Sequence, residues 1–382
     1  MYQENTVALF EERLLQEIGR AREAKRCTQY VTAMPANLSV SFSSDACDHD
    51  WITDYLRPFL FVPPVPIVAP TWRVFFAAAS ADIWTAIDYF FHNPPPEMEK
   101  QSYVDGDVKI LRFASGQMRV FIQFVYDKLY QVVSVCGNEI VVFAPENDAE
   151  RFLFVPMRVI RNLLTLDARN QGRLHLHASG VIYKERAFLF LGEKFAGKTT
   201  LLLTLLDRFN CAFLTNDQVL VDPVSGEVTG VPLAVGVRRT TLAMFPELVD
   251  YAQMHTLLHH NHNRKYKGEK LVFAPAEIGH AFASPLFAGA RLGGIFLIQL
   301  DLNADNLALS TLTETDAAAL LQHNAFYTVS ENQPFWDEYC RNGEDVGDVC
   351  RQIAASYPVM RIHHNSLVLE QLITLFEKWL RT

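Results

Sequence analysis

A chain of 382 residues is too long for one ordinary hydrophobic core and suits two domains, each large enough to bury substantial apolar surface. Hydrophobic residues make up 49% and charged residues 20%, but no apolar run approaches the roughly 18 residues that cross a bilayer, and the first residues lack a signal-peptide pattern, so we expect a soluble, cytoplasmic protein with no membrane partner. The formal net charge of −9 repels a phosphate backbone over most of the surface and argues against a nucleic-acid partner.

Leu9, Phe10, Leu14, Leu15 and Ile18 recur at helical spacing among charges, which predicts an amphipathic helix over 4–26. Alternation predicts a strand over 38–42, a helix follows over 48–60, and Pro63, Pro64 and Pro66 force an extended linker. A strand is expected over 72–77, and Pro94, Pro95 and Pro96 end the helix that carries Trp84 and Tyr89. Four β-rich runs, 108–113, 118–126, 130–135 and 140–143, are separated by turn chemistry and predict an antiparallel meander. A helix over 150–166 follows, and the domain boundary is placed near it, giving a first α+β domain over 1–150 and a second domain over 151–382.

In the second domain, residues 174–183 and 187–191 read as a hairpin around Lys184 and Glu185. The apolar strand Ala187-Phe-Leu-Phe-Leu191 then runs into Gly192-Glu-Lys-Phe-Ala196-Gly197-Lys198-Thr199-Thr200, a complete G-x-x-x-x-G-K-T loop, and on into a leucine-rich helix to Phe209. The two glycines let backbone amides wrap phosphates without a clashing Cβ, and the helix points its positive dipole end at the anion. Lys198 can reach the β- and γ-phosphates, and Thr199 offers a hydroxyl to Mg²⁺. A strand over 211–214 ends in Asn216-Asp217, a hairpin pairs 219–221 with 228–229, a buried strand over 294–300 ends at Asp301, and a closing helix is expected over 366–380.

A bound nucleotide brings a metal that needs carboxylate help beyond Thr199. Asp217 is preferred for catalysis or metal binding and Asp301 is the second choice, the alternative for either being an ordinary turn or cap aspartate. His175 and His177 alternate with Leu174, Leu176 and Ala178 and so share one strand face, where they serve either as structural histidines or as partners to an anion or a carboxylate. Two basic clusters could supply a mobile cation to a transferring phosphoryl group: Arg238 with Arg239, and Arg264, Lys265, Lys267 and Lys270. Both could equally be solvated loops, and the second could grip an acidic peptide. His255, His259, His260 and His262 crowd one segment, but without the Glu of H-E-x-x-H or a nearby cysteine they read as a polar helix end or loop. The six cysteines contain no C-x-x-C pair and read as reduced thiols.

The order of these features resembles the HPr kinase-related group, whose catalytic domain shares its core with phosphoenolpyruvate carboxykinase. The resemblance rests on Leu176-His177-Ala-Ser-Gly-Val181, the phosphate loop, Phe213-Leu-Thr-Asn216-Asp217-Gln-Val219, then Pro232-Leu and Phe245-Pro-Glu-Leu248, and covers about residues 173–301. It implies an α/β, P-loop catalytic domain of mixed β-sheet and helices, and ATP- and Mg²⁺-dependent transfer of a phosphoryl group to a Ser or Thr hydroxyl of a peptide or small protein, in a homo-oligomer. Carried over by position, Gly192, Gly197, Lys198 and Thr199 hold the nucleotide and Mg²⁺, Asp217 is the candidate base or metal ligand, and His177 stands near the reacting groups. Ala196 and Thr200 of the same loop join the nucleotide-binding set, and from the charge argument above Arg238, Arg239 and Lys270 are the cation candidates. Where the family has paired aspartates this chain has Asn216 and then Asp217, and the signature of the reverse, phosphorolytic reaction is not recognisable. Two other activities stay open: a nucleotide-regulated peptide-binding protein without transfer, and a small-molecule kinase.

Overall fold

The computed structural model describes residues 2–23, 26–32, 37–42, 54–57, 59–61, 63–65, 67–96, 98–103, 106–113, 118–125, 129–145, 154–257, 270–300, 308–329, 334–340, 345–364 and 374. The chain is mixed α/β and forms two compact units, the first from Met1–Thr53, Leu60–Leu164 and Ser330–Phe335, the second from Asp54–Phe59, Thr165–Val329 and Trp336–Thr382. Among the described residues no helix is long and apolar enough to cross a membrane.

The first unit contains α1 (Tyr2–Arg22), β1 (Arg26–Thr32), β2 (Asn37–Phe42), β3 (Leu60–Phe61), β4 (Trp72–Ala79), α2 (Ala81–His92), β5 (Met98–Tyr103), β6 (Gly106–Arg112), β7 (Arg119–Val125), β8 (Leu129–Cys136) and β9 (Glu139–Pro145). Its strands form one sheet in the order β3-β1-β2-β4-β9-β8-β7-β6-β5. The expected antiparallel meander is present over β6 to β9 and extends by one strand to β5. The sheet is nevertheless mixed, because β4 pairs in parallel with both β2 and β9. Phe10, Leu14 and Ile18 of α1 and Ile83, Ile87 and Phe90 of α2, spaced by three or four residues, pack with Phe75, Leu111, Val120, Ile122 and Val141 in one core. Lys109 is buried beside this core, where its amino group bonds the Phe91 carbonyl in the last turn of α2 and sits 4.4 Å from the Phe91 ring centroid. Burial there holds the ammonium below the usual lysine range. Of the helix expected over 48–60, residues 54–56 are helical, while 48–53 and 58 lie outside the described residues.

α3 (Phe154–Asn170) begins in the first unit and ends in the second. The second unit continues with β10 (Leu174–His177), β11 (Ser179–Tyr183), β12 (Arg186–Leu191), α4 (Lys198–Phe209), β13 (Ala212–Thr215), β14 (Gln218–Val221), β15 (Glu227–Gly230), β16 (Val235–Arg238), α5 (Arg239–Leu242), α6 (Pro246–Met254), β17 (Lys270–Phe273), α7 (Pro275–Ala281), β18 (Gly289–Leu300), β19 (Ala308–Thr311), α8 (Glu314–His323), a 3₁₀ turn (Pro334–Tyr339), α9 (Val346–Ser356) and β20 (Val359–His364). The main sheet runs β10-β14-β15-β18-β12-β11-β13, with β20 beside β18 and β19 beside β20, and β16 and β17 form a separate ribbon. β12, β18 and β20 are mutually parallel, the arrangement that leaves ligand sites at carboxyl ends of strands.

Residues of β12 alternate between two cores. Phe188 and Phe190 join Phe296, Ile298 and the leucines of α4 on one face, while Ala187, Leu189 and Leu191 join Ile295, Leu297 and the apolar sides of α8 and α9 on the other. A strand covered on both faces needs a continuous apolar run, which is why Ala187 to Leu191 shows no polar residue. Residues Leu201 to Leu206 of α4 are all buried, so that helix is held along its length rather than at one stripe. Asn210, with φ of 52°, ends it in the left-handed cap conformation.

One expectation needs correction. Residues 174–183 do not form a single strand of a hairpin: the run divides at Ala178, so that β10 pairs with β14 and only β11 pairs with β12. The division occurs because the Ala178 amide bonds the Asp217 carbonyl at 3.0 Å and the His177 amide bonds the Asn324 carbonyl at 2.8 Å, so the chain changes partners there. The helix expected over 366–380 lies outside the described residues except for Thr374, which is helical.

Candidate functional site

The phosphate loop joins the carboxyl end of β12 to the amino end of α4, and its conformation follows from its glycines. Gly192 has φ of 149°, and a Cβ there would stand 2.5 Å from the Ile298 carbonyl oxygen of neighbouring β18, so any side chain would collide with backbone. Gly197 has φ of 94° at the N-cap of α4 and, without a side chain, leaves the first-turn amides open to an anion. Phe195 also has positive φ, 74°, although it is not a glycine, and the residue is 64% exposed. An exposed aromatic side chain on a strained backbone is the pattern of a binding position rather than of a core residue. The Arg238 guanidinium lies 4.5 Å from the centre of the Phe195 ring, a cation–π contact that holds this cation at the edge of the loop.

For Gly192→Ala we expect the collision and the unfavourable φ together to lower folding stability by about 2–4 kcal/mol. Urea unfolding of the variant and the native chain measures this as a lower midpoint.

Lys198 lies across the loop, donating to the carbonyl of Gly192 and, at 3.5 Å, to that of Glu193. Burial lowers its ammonium pKa below the ordinary lysine range, and the nearby carboxylates of Asp217 and Glu193 partly offset this. In the same first turn of α4 Thr200 approaches Thr241 of α5, their hydroxyls 3.4 Å apart. Ala196 is buried at the base of the loop and packs in the same core as α4.

The residues after β13 complete the site. Thr199 Oγ1 donates to Asn216 Oδ1 at 3.1 Å, so it is Asn216 that meets the loop hydroxyl. Asp217 turns toward β10, where its Oδ1 lies 3.3 Å from His177 Nε2, and both side chains are 42% exposed. His175 and His177 share one strand face, as their spacing requires, and both rings lie against Phe326, at 4.4 and 5.7 Å between centroids. They differ in role: His175 is buried, with Nε2 3.1 Å from Gln218 Oε1, whereas His177 is the accessible partner of Asp217. A solvent-reached carboxylate paired with an imidazole can accept a proton from an incoming hydroxyl and be held in orientation while doing so.

Among the described residues no group of three or more His, Cys, Asp or Glu could hold a metal ion. Mg²⁺ that arrives with a nucleotide needs no such cage, because it takes one or two protein ligands, phosphate oxygens and water. Thr199, Asn216 and Asp217 carry oxygen ligands of that kind beside the loop and Lys198, so their chemistry fits Mg²⁺ carried in with a nucleotide.

The chain matches no protein-family model and no curated protein.

Of the basic candidates, Arg238 is brought to the loop. Lys270 stands opposite Arg238 in the β16–β17 register, so the two cations are neighbours on one ribbon. Arg239 opens α5 with its side chain exposed, and no contact joins it to the loop among the described residues. Arg264, Lys265, Lys267, His259, His260, His262 and Asp301 lie outside the described residues. His255, which is described, stacks on Tyr251 with 4.4 Å between centroids. Burial pushes the thiol of Cys211 up to about 12 and that of Cys350 up to about 11, which leaves neither available as a nucleophilic thiolate.

Four functional candidates escaped sequence reasoning: Phe195, Asn216 as the partner of Thr199, and Phe326 and Asn324, which set the position of His177. The x positions of a phosphate-loop motif carry no type requirement that would single out Phe195. Asn324 and Phe326 act through a backbone carbonyl and a ring face more than 140 residues along the chain from His177, for which no local pattern exists.

Proposed function

We propose that the chain is an ATP- and Mg²⁺-dependent phosphotransferase that moves the γ-phosphoryl group to a Ser or Thr hydroxyl of a peptide or small protein, in the manner of the HPr kinase-related group that its motifs resemble. The observation that carries this reading is the accessible His177–Asp217 pair, 3.3 Å apart, standing next to the Thr199–Asn216 contact at the loop. A carboxylate at that point can take the acceptor proton in transfer chemistry, a use it does not have in a site that only retains a nucleotide.

In the proposed reaction the acceptor oxygen forms a bond to the γ-phosphorus, the bond from that phosphorus to the β,γ-bridging oxygen breaks, ADP leaves, and the hydroxyl proton passes to Asp217. His177 orients the carboxylate. Loop amides and Lys198 hold the β- and γ-phosphates in line, and Arg238, parked on Phe195, is the cation able to move over the equatorial oxygens. Mg²⁺, when bound through Thr199, Asn216 or Asp217, supplies charge neutralisation on the phosphate oxygens.

Incubating the full chain with γ-labelled Mg·ATP and a pool of serine- and threonine-bearing peptides tests the reading. Label on peptide hydroxyls, with equal ADP release, is expected. ATP binding without labelling would favour a nucleotide-regulated peptide-binding protein, to which Asn216 in place of a second carboxylate lends support. ADP release with metabolites alone would indicate a small-molecule kinase.

A further inference from the structure

At the amino end of β10 the second unit holds a cavity of about 90 Å³, whose lining includes Arg169, Asn170, Arg173, His175, Phe326 and Val346. That volume is far below the roughly 300–1,000 Å³ of organic-ligand sites and well above the ~10–15 Å³ that one water needs. It suits a small ion. No residue of the phosphate loop lines it.

The lining sets the sign of that ion. Two guanidinium-bearing side chains, an imidazole and a carboxamide contribute to it, and no Asp or Glu does among the described residues. The side chain of Arg173 is only 8% exposed; it donates to Thr229 Oγ1 at 3.1 Å and lies 3.4 Å from Glu227, whose carboxylate is turned toward solvent. Arg169 donates Nη2 to the Tyr327 carbonyl at 2.9 Å, a contact that orients the guanidinium without neutralising it. Asp345 caps α9, accepting from the Gly347 amide at 2.9 Å, and does not line the cavity. Val346, the first residue of that eleven-residue helix, does line it, which puts the positive end of the helix at the cavity wall. Arg169 alone could be explained by its place in the last turn of α3, where a cation offsets the helix dipole. Arg173 and His175 lie beyond that helix, so the dipole does not account for their convergence on the same space.

We infer that this cavity is a binding site for a small oxyanion, held between the guanidinium groups of Arg169 and Arg173. The planar fork of a guanidinium matches the paired oxygens of phosphate, sulfate or a carboxylate, and an anion offsets the cost of keeping two cations in a partly dry space. The site goes beyond the proposed transfer reaction and does not depend on it. Phe326 nevertheless ties it to the acid pair, because this residue borders the cavity and its ring lies 4.4 Å from His175 and 5.7 Å from His177, which faces Asp217. Occupancy fixes Phe326 and through it the ring of His177.

The phosphate loop also attracts anions, so the full chain is first saturated with inorganic triphosphate, which is too large for the cavity, and then titrated calorimetrically with phosphate, sulfate and acetate. One further saturable site is expected; competition between phosphate and sulfate for it assigns a tetrahedral ion, and preference for acetate assigns a carboxylate. Arg169→Met should weaken binding at this site at least about tenfold, as loss of a charge-assisted hydrogen bond requires, and leave triphosphate affinity unchanged. Val346→Phe, which fills the cavity from one wall, gives a second route to the same loss if Arg169→Met does not fold. In magnetic resonance spectra of the native chain the ring signals of His175 and His177 should shift together on occupancy. Absence of a further site, or a site indifferent to both substitutions, overturns the inference, and a shift of His175 alone overturns the link to His177. Should triphosphate itself fail to bind, the phosphate-loop reading falls, while phosphate binding that Arg169→Met abolishes would still establish the cavity.

Discussion

Asp217→Asn is expected to lower phosphoryl transfer to peptide about 10²–10⁴-fold, the range over which a positioned general base contributes, while ATP affinity changes only a few-fold. The amide keeps the shape of the carboxylate and can still bond His177 Nε2, now 3.3 Å from Asp217 Oδ1, so local structure should persist. What disappears is the capacity to take the acceptor proton and the negative charge near Lys198. Loss of that charge removes repulsion toward a triphosphate and weakens a ligand to Mg²⁺, two opposed effects that keep the change in Mg·ATP affinity to a few-fold. Single-turnover transfer and equilibrium binding, measured on the same preparation, separate these effects. Equal losses in both would mean that Asp217 serves binding and has no role in moving the proton.

Lys198→Ala carries the second large expectation: ATP affinity reduced about 10–100-fold, matching the roughly 1.5–3 kcal/mol of a hydrogen bond to a charged group. Transfer should fall further, by at least ~10²-fold beyond the binding loss, because charge on the phosphoryl oxygens changes most in the transition state. Stability should move the other way or not at all. Burial already lowers the Lys198 pKa, which means that the folded chain disfavours the ammonium relative to the unfolded chain, and alanine removes that cost. A melting temperature equal to or above that of the native chain, together with lost binding, assigns the lysine to the ligand and not to the fold.

The strand, loop and helix around Lys198 were legible because each part obeys a local rule. Ala187 to Leu191 is apolar throughout since both faces of β12 are covered, and Gly192 is required by a carbonyl that leaves no room for a Cβ. The meander was legible for a similar reason, its turns being marked by the residues that turns need. The break at Ala178 was not. Residues 174–178 alternate polar and apolar, and nothing in that alternation or in the apolar run of 181–183 says that the first half will choose β14 and the second β12. That choice is made by distant backbone groups, and it is what carries His177 to Asp217. The parallel pairing of β4 with β2 and β9 was equally hidden, since residues of one run do not name the strands on either side. Within the site, motif spacing pointed to Lys198 and Thr199 but could not distinguish which of Asn216 and Asp217 meets Thr199, because adjacent residues in a turn are oriented by tertiary contacts.

Calorimetric titration of Mg·ATP into the full native chain and into Lys198→Ala probes the seat of the triphosphate most directly. Saturable one-to-one binding that inorganic triphosphate displaces, weakened about 10–100-fold by the substitution, is the expected result. Absence of binding to the native chain, or binding that Lys198→Ala leaves untouched, would contradict a nucleotide seated in the loop between β12 and α4.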